Sequence, residues 1–346
     1  MLKNFKKKIK LILKKIIIFY FSKIILFSLF YYQSIKKKNI IYSNSLGFGD
    51  NIMFYLYKYL TIKNSNSYVF QFCKQIDQPL NFFFEKKKIL KPIFSIPFTF
   101  YYPIISEVKK SKLFTPSITE ESFIYLLTRR NKDSIKNLIE LKLKDKKTSP
   151  KLEKFFDHKF TYICFFIKLN FDKNDIYGSN PRATWDRKKI FNLLNYLISN
   201  EYIVVVLGLK NDPSIKIIRE YVSNSKLEDK ILFLIDLSDS YDFIDQLLIA
   251  KNSVGYLGNG SGATEIFYYL QKKALVFDHS LISYFLLPHF KKYRKTLFKK
   301  YIVKDETIQK ILSEESTNKL LYEKKEYEII ENSFEEITYE IKNYLM

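Results

Sequence analysis

The sequence predicts an α/β fold with two doubly wound domains and a separate N-terminal helix. At 346 residues the chain is longer than one usual hydrophobic core, so two domains are expected. In the second half, short apolar strands alternate with amphipathic helices, which is typical of a parallel sheet with helices on both faces. Residues 1–38 contain eleven lysines and no acidic residue, so they form a segment of different chemistry.

The N-terminal segment has the pattern of a membrane-surface helix. On a helical wheel, lysines share one side and apolar residues share the other. The basic side holds Lys3, Lys6, Lys7, Lys10 and Lys14, and the apolar side holds Phe5, Ile9, Ile12, Leu13 and Ile16. This arrangement is typical of a helix that lies on an anionic bilayer.

The run that follows, residues 16–32, is apolar apart from Ser22, Lys23 and Ser28. Seventeen residues barely span a bilayer, and a central lysine costs roughly 2.5–3.5 kcal/mol on insertion. We therefore expect residues 1–38 to form a monotopic anchor on the cytoplasmic face of the inner membrane. A spanning helix and an ordinary first core helix are the alternatives.

The first domain, residues 39–150, begins with a strand, a glycine turn and a helix. The strand is predicted at 39–43 and the helix at 51–60, with the turn Leu46-Gly47-Phe48-Gly49-Asp50 between them. Asp50 therefore lies at the start of the helix, where an acid either caps the helix or serves as a catalytic carboxylate. Further predictions are a strand at 68–73, helical structure at 120–147 and an interdomain linker at 144–154.

The second domain, residues 151–300, is predicted to be a parallel, doubly wound sheet. Strands are expected at 160–167, 202–207, 231–234, 253–257 and 274–277, and helices at 188–200, 213–223, 240–250 and 263–270. Ligands of such sheets bind beyond the carboxyl ends of the strands. Beyond this domain, the tail 301–346 is expected to be helical over 327–345 and to pack back on the first domain.

Glycine usage identifies one loop of the second domain. Four of the eight glycines in the chain lie between Gly255 and Gly262, after a predicted strand and before a predicted helix. Free backbone N–H groups and the lack of Cβ atoms let such a loop cradle a phosphate. A tight strand-to-helix turn without a ligand is the alternative.

Charge and composition limit the function classes. The net charge of +22 favours an anionic partner, but lysine outnumbers arginine 52 to 6, as expected of an AT-rich genome. No nucleic-acid recognition motif accompanies the basic residues, so a nucleic-acid partner is not expected. Cys73 and Cys164 are isolated, which indicates reduced thiols in a cytoplasmic protein. The three histidines are scattered, and no metal site is expected.

Four stretches of the sequence resemble a known family. They are Leu46-Gly47-Phe48-Gly49-Asp50, Arg182-Ala183-Thr184-Trp185, Val204-Val205-Val206-Leu207-Gly208 and the loop from Gly255 to Thr264. Together they resemble GT-B glycosyltransferases with two Rossmann-like domains, nearest to the heptosyltransferase-like enzymes of lipopolysaccharide synthesis and related surface-polysaccharide transferases. Two departures are an extra glycine in Asn259-Gly260-Ser261-Gly262 and Thr264 or Glu265 where the family has a histidine.

The resemblance implies an inverting, metal-independent transferase with Asp50 as the general base. Its donor substrate is a nucleotide-diphosphate sugar, with no bound cofactor, and its acceptor is a glycan or glycolipid. The donor site is then expected to include Arg182, Arg187, Gly208, Lys210, Asn259, Gly260, Ser261, Gly262, Thr264 and Glu265. The arginines equally suit surface ion pairs, and Glu265 equally suits the dipole of its helix. A non-catalytic sugar- or nucleotide-binding protein of the same fold is the alternative function.

Overall fold

The structure is a computed structural model, and it divides into two compact units, Met1–Asn131 and Lys132–Met346. The described residues are 2–31, 39–42, 52, 55–56, 59, 67–70, 81–84, 89–90, 132–144, 146–169, 183–208, 212–239, 243–279, 293–303 and 327–346. The domain boundary at residue 150 stays a prediction.

The first unit contains a long helix and a small parallel sheet. Helix α1 is Leu2–Phe30. Strands β1 (Asn39–Tyr42), β2 (Ser67–Phe70) and β3 (Ile89–Leu90) pair in parallel in the order β1-β2-β3. The strands predicted at 39–43 and 68–73 are therefore confirmed over the residues that the structure describes, 39–42 and 68–70. The turn that carries Asp50 lies outside the described residues.

The second unit is built on a six-stranded parallel sheet. Its strands are β4 (Tyr162–Phe166), β5 (Ile203–Val206), β6 (Ile231–Phe233), β7 (Gly255–Gly258), β8 (Lys273–His279) and β9 (Arg294–Phe298). They lie in the order β6-β5-β4-β7-β8-β9. The chain thus runs outward from β4 to one edge and then returns to build the other half from β7. The predicted doubly wound sheet is confirmed, with its switch point between β4 and β7.

Helices connect and cover these strands. They are α2 (Lys132–Lys144), α3 (Pro150–Asp157), α4 (Arg187–Ser199), α5 (Pro213–Ser225), α6 (Leu234–Leu237), α7 (Phe243–Asn252), α8 (Ala263–Tyr269) and α9 (Phe334–Glu340). Apolar residues of α4 and α5 pack with the interior of β4 and β5 in one core. Cys164 lies fully buried in β4, and burial raises the pKa of its thiol to about 12, so the thiol stays protonated.

Two expectations from the sequence need correction. Residues 150–154 are not an extended linker, because Pro150 begins α3 and Leu152 is fully buried. The tail is not helical from residue 327, because Tyr327–Ile330 forms strand β11, antiparallel to β10 (Lys300–Val303). The helix begins only after Ser333, whose side chain and that of Glu336 form a capping box.

The last helical segment belongs to the core of the second unit. After α9 the chain continues as a π-helical turn, Ile341–Leu345. Ile337, Ile341 and Leu345 are buried in the core that contains β4 and α4. Contact of this tail with the first domain stays a prediction.

Helix α1 exposes much of its apolar surface. Phe27 is 73% exposed, and over residues 9–28, whose side chains the structure describes, the other exposed large apolar residues are Ile9, Leu11, Ile12, Leu13, Ile16, Ile17, Phe19, Tyr20 and Ile24. None of the helices that the structure describes combines the length and the apolar character needed to cross a bilayer.

Candidate functional site

The switch point of the sheet places the glycine loop beside the end of β4. Phe166, the last residue of β4, pairs with Gly258, the last residue of β7. Gly258 has a φ of +157°, and a Cβ atom there would overlap the carbonyl oxygen of Phe166. Only glycine permits this approach. Parallel α/β sheets bind their ligands at such a switch point, beyond the carboxyl ends of the strands.

Asn259, the first loop residue, makes hydrogen bonds through both its backbone and its side chain. It is fully buried, and its backbone N–H donates to the carbonyl oxygen of Phe166 at 3.0 Å. Its Oδ1 accepts from the N–H of Lys168 at 2.6 Å, and its Nδ2 donates to Thr184 Oγ1 at 3.1 Å. The hydroxyl of Tyr256 donates to the Asn259 carbonyl at 2.6 Å. These contacts fix the position of Asn259 and, with it, the start of the loop.

The next three residues present backbone donors. Within the described residues, no hydrogen bond takes the N–H of Gly260, Ser261 or Gly262 as its donor. The Ser261 hydroxyl accepts from the N–H of Ala263 at 3.2 Å. Thr264 is buried, and its hydroxyl donates to the Ser261 carbonyl at 2.6 Å. Thr264 therefore shapes the turn, and the N–H groups of Gly260, Ser261 and Gly262 have no acceptor among the described residues.

Two further predicted residues make internal contacts. Glu265 is 4% exposed and pairs with Arg294, at 3.7 Å from Oε1 to Nη1, which favours a structural role for this carboxylate. Gly260 packs directly on the buried ring of His279. A Cβ atom at Gly260 would overlap that ring, so the small size of Gly260 has a packing reason besides any ligand.

Of the remaining predicted residues, the structure describes Gly208 and Arg187. Gly208 follows β5 with a φ of +138°, and a Cβ there would lie 2.8 Å from Ile215 Cδ1. Arg187 is exposed at the first position of α4. Arg182, Lys210 and Asp50 lie outside the described residues. In the described part of the chain, no three His, Cys, Asp or Glu side chains cluster in a way that can hold a metal ion.

A buried polar network lies behind the loop. Asp278, at the end of β8, accepts at Oδ2 from Thr184 Oγ1 at 2.6 Å and from Lys189 Nζ at 2.9 Å. Thr184 and Asp278 are fully buried, and Lys189 is 5% exposed. Because Thr184 also contacts Asn259, the network joins two of the four stretches that carry the family resemblance, the one around Thr184 and the glycine loop.

The network continues into the tail. Lys189 Nζ lies 3.0 Å from Glu331 Oε2 and donates to the Asn332 carbonyl at 2.8 Å. Lys299 Nζ lies 3.5 Å from Glu331 Oε1 and 4.4 Å from the centre of the Trp185 ring. Burial lowers the pKa of Lys299, and burial raises the pKa of Asp278 against the opposing effect of Lys189. Two lysines thus face two carboxylates in one buried site.

Sequence reasoning missed this network. Lys189, Lys299 and Glu331 carry no motif, and a lysine has little individual signal in a chain with 52 of them. Lys189 and Glu331 are separated by 142 positions, so only the fold brings them together. Asp278 had one usable signal, its place at the carboxyl end of a predicted buried strand.

Comparison with known proteins gives structural likenesses only. No protein-family model and no curated protein sequence matches this chain. The fold is similar to that of heptosyltransferases. ADP-heptose LPS heptosyltransferase II of E. coli is 13% identical with a TM-score of 0.43, over 83% of this chain and 99% of that chain.

Two other solved structures are similar to this chain. The family 9 glycosyl transferase of Veillonella parvula is 11% identical with a TM-score of 0.48, over 89% of this chain and 96% of that one. A putative UDP-N-acetylglucosamine 2-epimerase of Listeria monocytogenes is 10% identical with a TM-score of 0.42, over 70% and 79%. These likenesses include the class that the sequence motifs resemble, but at such TM-scores they carry no argument about activity.

Proposed function

We propose that this protein is a GT-B glycosyltransferase that moves a sugar from a nucleotide-diphosphate sugar to a lipid-linked or cell-surface glycan. The observation that carries the proposal is the loop Gly260–Gly262 at the switch point of a parallel sheet, with three backbone N–H groups that the described residues leave unbonded. Backbone donors in this position suit a diphosphate. The four sequence stretches that resemble the GT-B family support the same assignment.

In the proposed complex the diphosphate lies on the N–H groups of Gly260, Ser261 and Gly262. Tyr256 gives its single hydroxyl proton to the Asn259 carbonyl, so Ser261 is the donor in its 3.3 Å contact with the Tyr256 hydroxyl. This contact is long for a bond between hydroxyl groups, and the Ser261 proton can turn to a phosphate oxygen instead. Arg182 or Arg187 adds a bidentate contact, and Lys210 a single charge.

The proposed reaction is a direct displacement. Asp50 takes the proton of the acceptor hydroxyl, whose oxygen attacks the anomeric carbon of the donor sugar. The bond between that carbon and the phosphate oxygen breaks, and its electron pair leaves with the nucleoside diphosphate. The loop N–H groups and an arginine stabilise the leaving charge, so inversion without a metal ion follows.

Helix α1 is proposed to hold the enzyme on the cytoplasmic face of an anionic inner membrane. Its lysines and its exposed apolar residues, such as Ile12 and Ile16, suit the headgroup and acyl layers respectively. This position brings a lipid-linked acceptor of lipopolysaccharide or polysaccharide synthesis close to the catalytic units.

Donor binding is tested best at Gly262. Its backbone angles, φ −57° and ψ −24°, are open to any L-residue, whereas a change at Gly260 would collide with His279. Aspartate is a favoured residue at a helix start, so Gly262→Asp should leave the unfolding midpoint unchanged or raised, while its charge repels a diphosphate.

The measurement is calorimetric titration of the full chain with UDP, ADP and a panel of their sugar conjugates. We expect Gly262→Asp to weaken binding at least about ten-fold. Ser333→Asp, which adds the same charge at the start of α9, is the matched control and should bind normally. Unchanged affinity in Gly262→Asp would remove the loop from the donor site.

Catalysis is separated from binding at Asp50. Asparagine is nearly as good a helix cap as aspartate, so Asp50→Asn should keep the fold and the donor affinity. If Asp50 is the general base, the transfer rate should fall by roughly 10²–10⁴-fold. Full activity in the variant would exclude Asp50 as the base. A wild-type chain that binds nucleotide sugars without transfer or hydrolysis would instead be the non-catalytic binding protein.

A further inference from the structure

We infer that Thr184 and Asp278 are positioning residues that hold the glycine loop through hydrogen bonds that link Asn259 to Thr184 and Thr184 to Asp278. Asn259 Nδ2 donates to Thr184 Oγ1, and the Thr184 hydroxyl donates to Asp278 Oδ2. Lys189 Nζ donates to the same oxygen of Asp278. The value of these bonds for donor binding rests on the proposed function, whereas the hold on the loop rests on these contacts alone.

The direction of each bond is fixed by its partners. Asp278 Oδ2 accepts from the Lys189 ammonium, so the neighbouring Thr184 hydroxyl donates its only proton to the same oxygen. Thr184 Oγ1 then has only lone pairs for Asn259 and accepts from Nδ2. Asn259 Oδ1 accepts from the Lys168 N–H, so the side-chain amide has a single orientation.

Burial makes each of these hydrogen bonds costly to lose. Thr184, Asp278 and Asn259 are fully buried, so water does not substitute for a lost partner. Asp278 has a φ of +51°, a conformation that side-chain-bearing residues seldom adopt. Such backbone strain persists where the surroundings over-determine it.

Asn332, in the tail, holds Asp278 in place. The backbone N–H of Asp278 donates to Asn332 Oδ1 at 2.7 Å, and the backbone N–H of Asn332 donates to Asp278 Oδ1 at 2.7 Å. This reciprocal pair fixes the backbone of the strained residue. The segment before α9 is therefore linked to the loop through Asp278 and Thr184.

The experiment removes the Thr184 hydroxyl in the full-length protein. Thr184→Val keeps the shape and deletes the bonds to Asp278 and Asn259, and Thr184→Ser restores the hydroxyl. Thr338→Val is the matched control, because the hydroxyl of Thr338 bonds only to backbone carbonyls within α9. Thr184→Ala removes the same hydroxyl without added bulk should the valine variant fail to fold.

The first readout is amide hydrogen exchange at Lys168 and Asn259, measured without ligand and relative to Val205 in the middle of the sheet. Both reporter amides are donors in the contacts that hold the loop. We expect roughly ten-fold faster relative exchange in Thr184→Val and near wild-type exchange in Thr184→Ser and Thr338→Val. Wild-type relative exchange in Thr184→Val would overturn the inference.

The second readout is the affinity for UDP and ADP as probes. We expect a roughly ten-fold loss in Thr184→Val and recovery in Thr184→Ser. Unchanged affinity in a Thr184→Val protein with faster loop exchange would overturn the link to binding. A wild-type chain that binds neither probe would argue against the proposed function, while the exchange rates still decide whether Thr184 holds the loop.

Discussion

Helices α1 and α4 carry similar apolar residues but expose them very differently. In α1, Ile12 is 56% exposed and Leu13 is 52% exposed. In α4, Leu193 and Leu194 are fully buried against the sheet of the second unit. Similar apolar side chains are thus buried in a protein core in α4 and exposed in α1.

Three polar side chains of α1 have their contacts within the helix itself. The Ser22 hydroxyl donates to the Phe19 carbonyl at 2.8 Å, and the Ser28 hydroxyl donates to the Ile24 carbonyl at 3.0 Å. Lys23 Nζ lies 5.5 Å from the centre of the Phe19 ring. Polar groups that are satisfied within their own helix cost less in an apolar medium. An apolar helical pattern is thus common to α4, which is buried by protein, and to α1, whose apolar residues the protein leaves exposed.

The largest expected effect separates the two helices by stability. Leu194→Ala should lower the free energy of unfolding by about 2–5 kcal/mol, because it leaves a cavity in a closed core. Ile12→Ala should change it by less than about 0.5 kcal/mol. Urea unfolding followed by far-UV circular dichroism, which reports on the helices of both units, measures both. A large loss in Ile12→Ala would mean that α1 packs as a core helix.

The contrast also explains which elements could be predicted. Helix α4 and strand β5 have regular apolar spacing and a clear end, so the predictions at 188–200 and 202–207 agree with the structure. Residues 327–330 were predicted as helix because Ile329 and Ile330 also fit a helical period. Their pairing with β10, which is distant in sequence, decided the outcome.

Part of the candidate site could be predicted from the sequence, and part of it could not. The glycine loop could be found from the sequence, because glycine is rare in this chain and four of its eight glycines are local neighbours. The charged residues of the network behind the loop could not be found, because they are common types in this chain. Lys189 meets Asp278 across 89 positions, and Asp278 meets Asn332 across 54 positions. Only the doubly wound order of the sheet brings those segments together.

The second prediction tests what covers α1. Lys10→Gln combined with Lys14→Gln should weaken binding to vesicles with anionic lipid by about 2 kcal/mol, since each lysine near the surface contributes roughly 1 kcal/mol. Flotation with phosphatidylglycerol-containing vesicles measures the change, and vesicles of phosphatidylcholine alone should bind both proteins weakly. Lys188→Gln with Lys230→Gln, two exposed lysines of the second unit, is the control. Equal losses in the two double variants would contradict a specific role for α1.

The third prediction concerns how α4 begins. Asp186 is the N-cap of α4, and its side chain accepts from the Lys189 N–H at 3.0 Å. Asp186→Ala should lower the free energy of unfolding by about 1 kcal/mol, and Asp186→Asn should change it little. Helix α1 has no acid in its first turn. If Asp186→Ala has no effect on urea unfolding, packing alone determines the start of α4.

The smallest expected effect is a pH dependence at α9, another helix whose apolar side joins the core. A hydrogen bond from Lys300 and one from the Ser333 N–H hold the pKa of Glu336 below its ordinary value of 4.5. The unfolded chain therefore binds the proton more readily, so this contribution to stability is complete above about pH 5 and is lost as the pH falls through the folded pKa. Lys300 and Glu336 are both almost half exposed, so solvent screening keeps the effect small.

Glu336→Gln should remove this part of the pH dependence. The free energy of unfolding, measured by urea titration from pH 3 to pH 7, should rise less steeply with pH in the variant than in the wild type. Glu335→Gln, a change at the neighbouring exposed position, should keep the wild-type slope because the Ser333 N–H and Lys300 bond to Glu336. Equal slopes in the two variants would show that the capping box does not depend on the charge of Glu336.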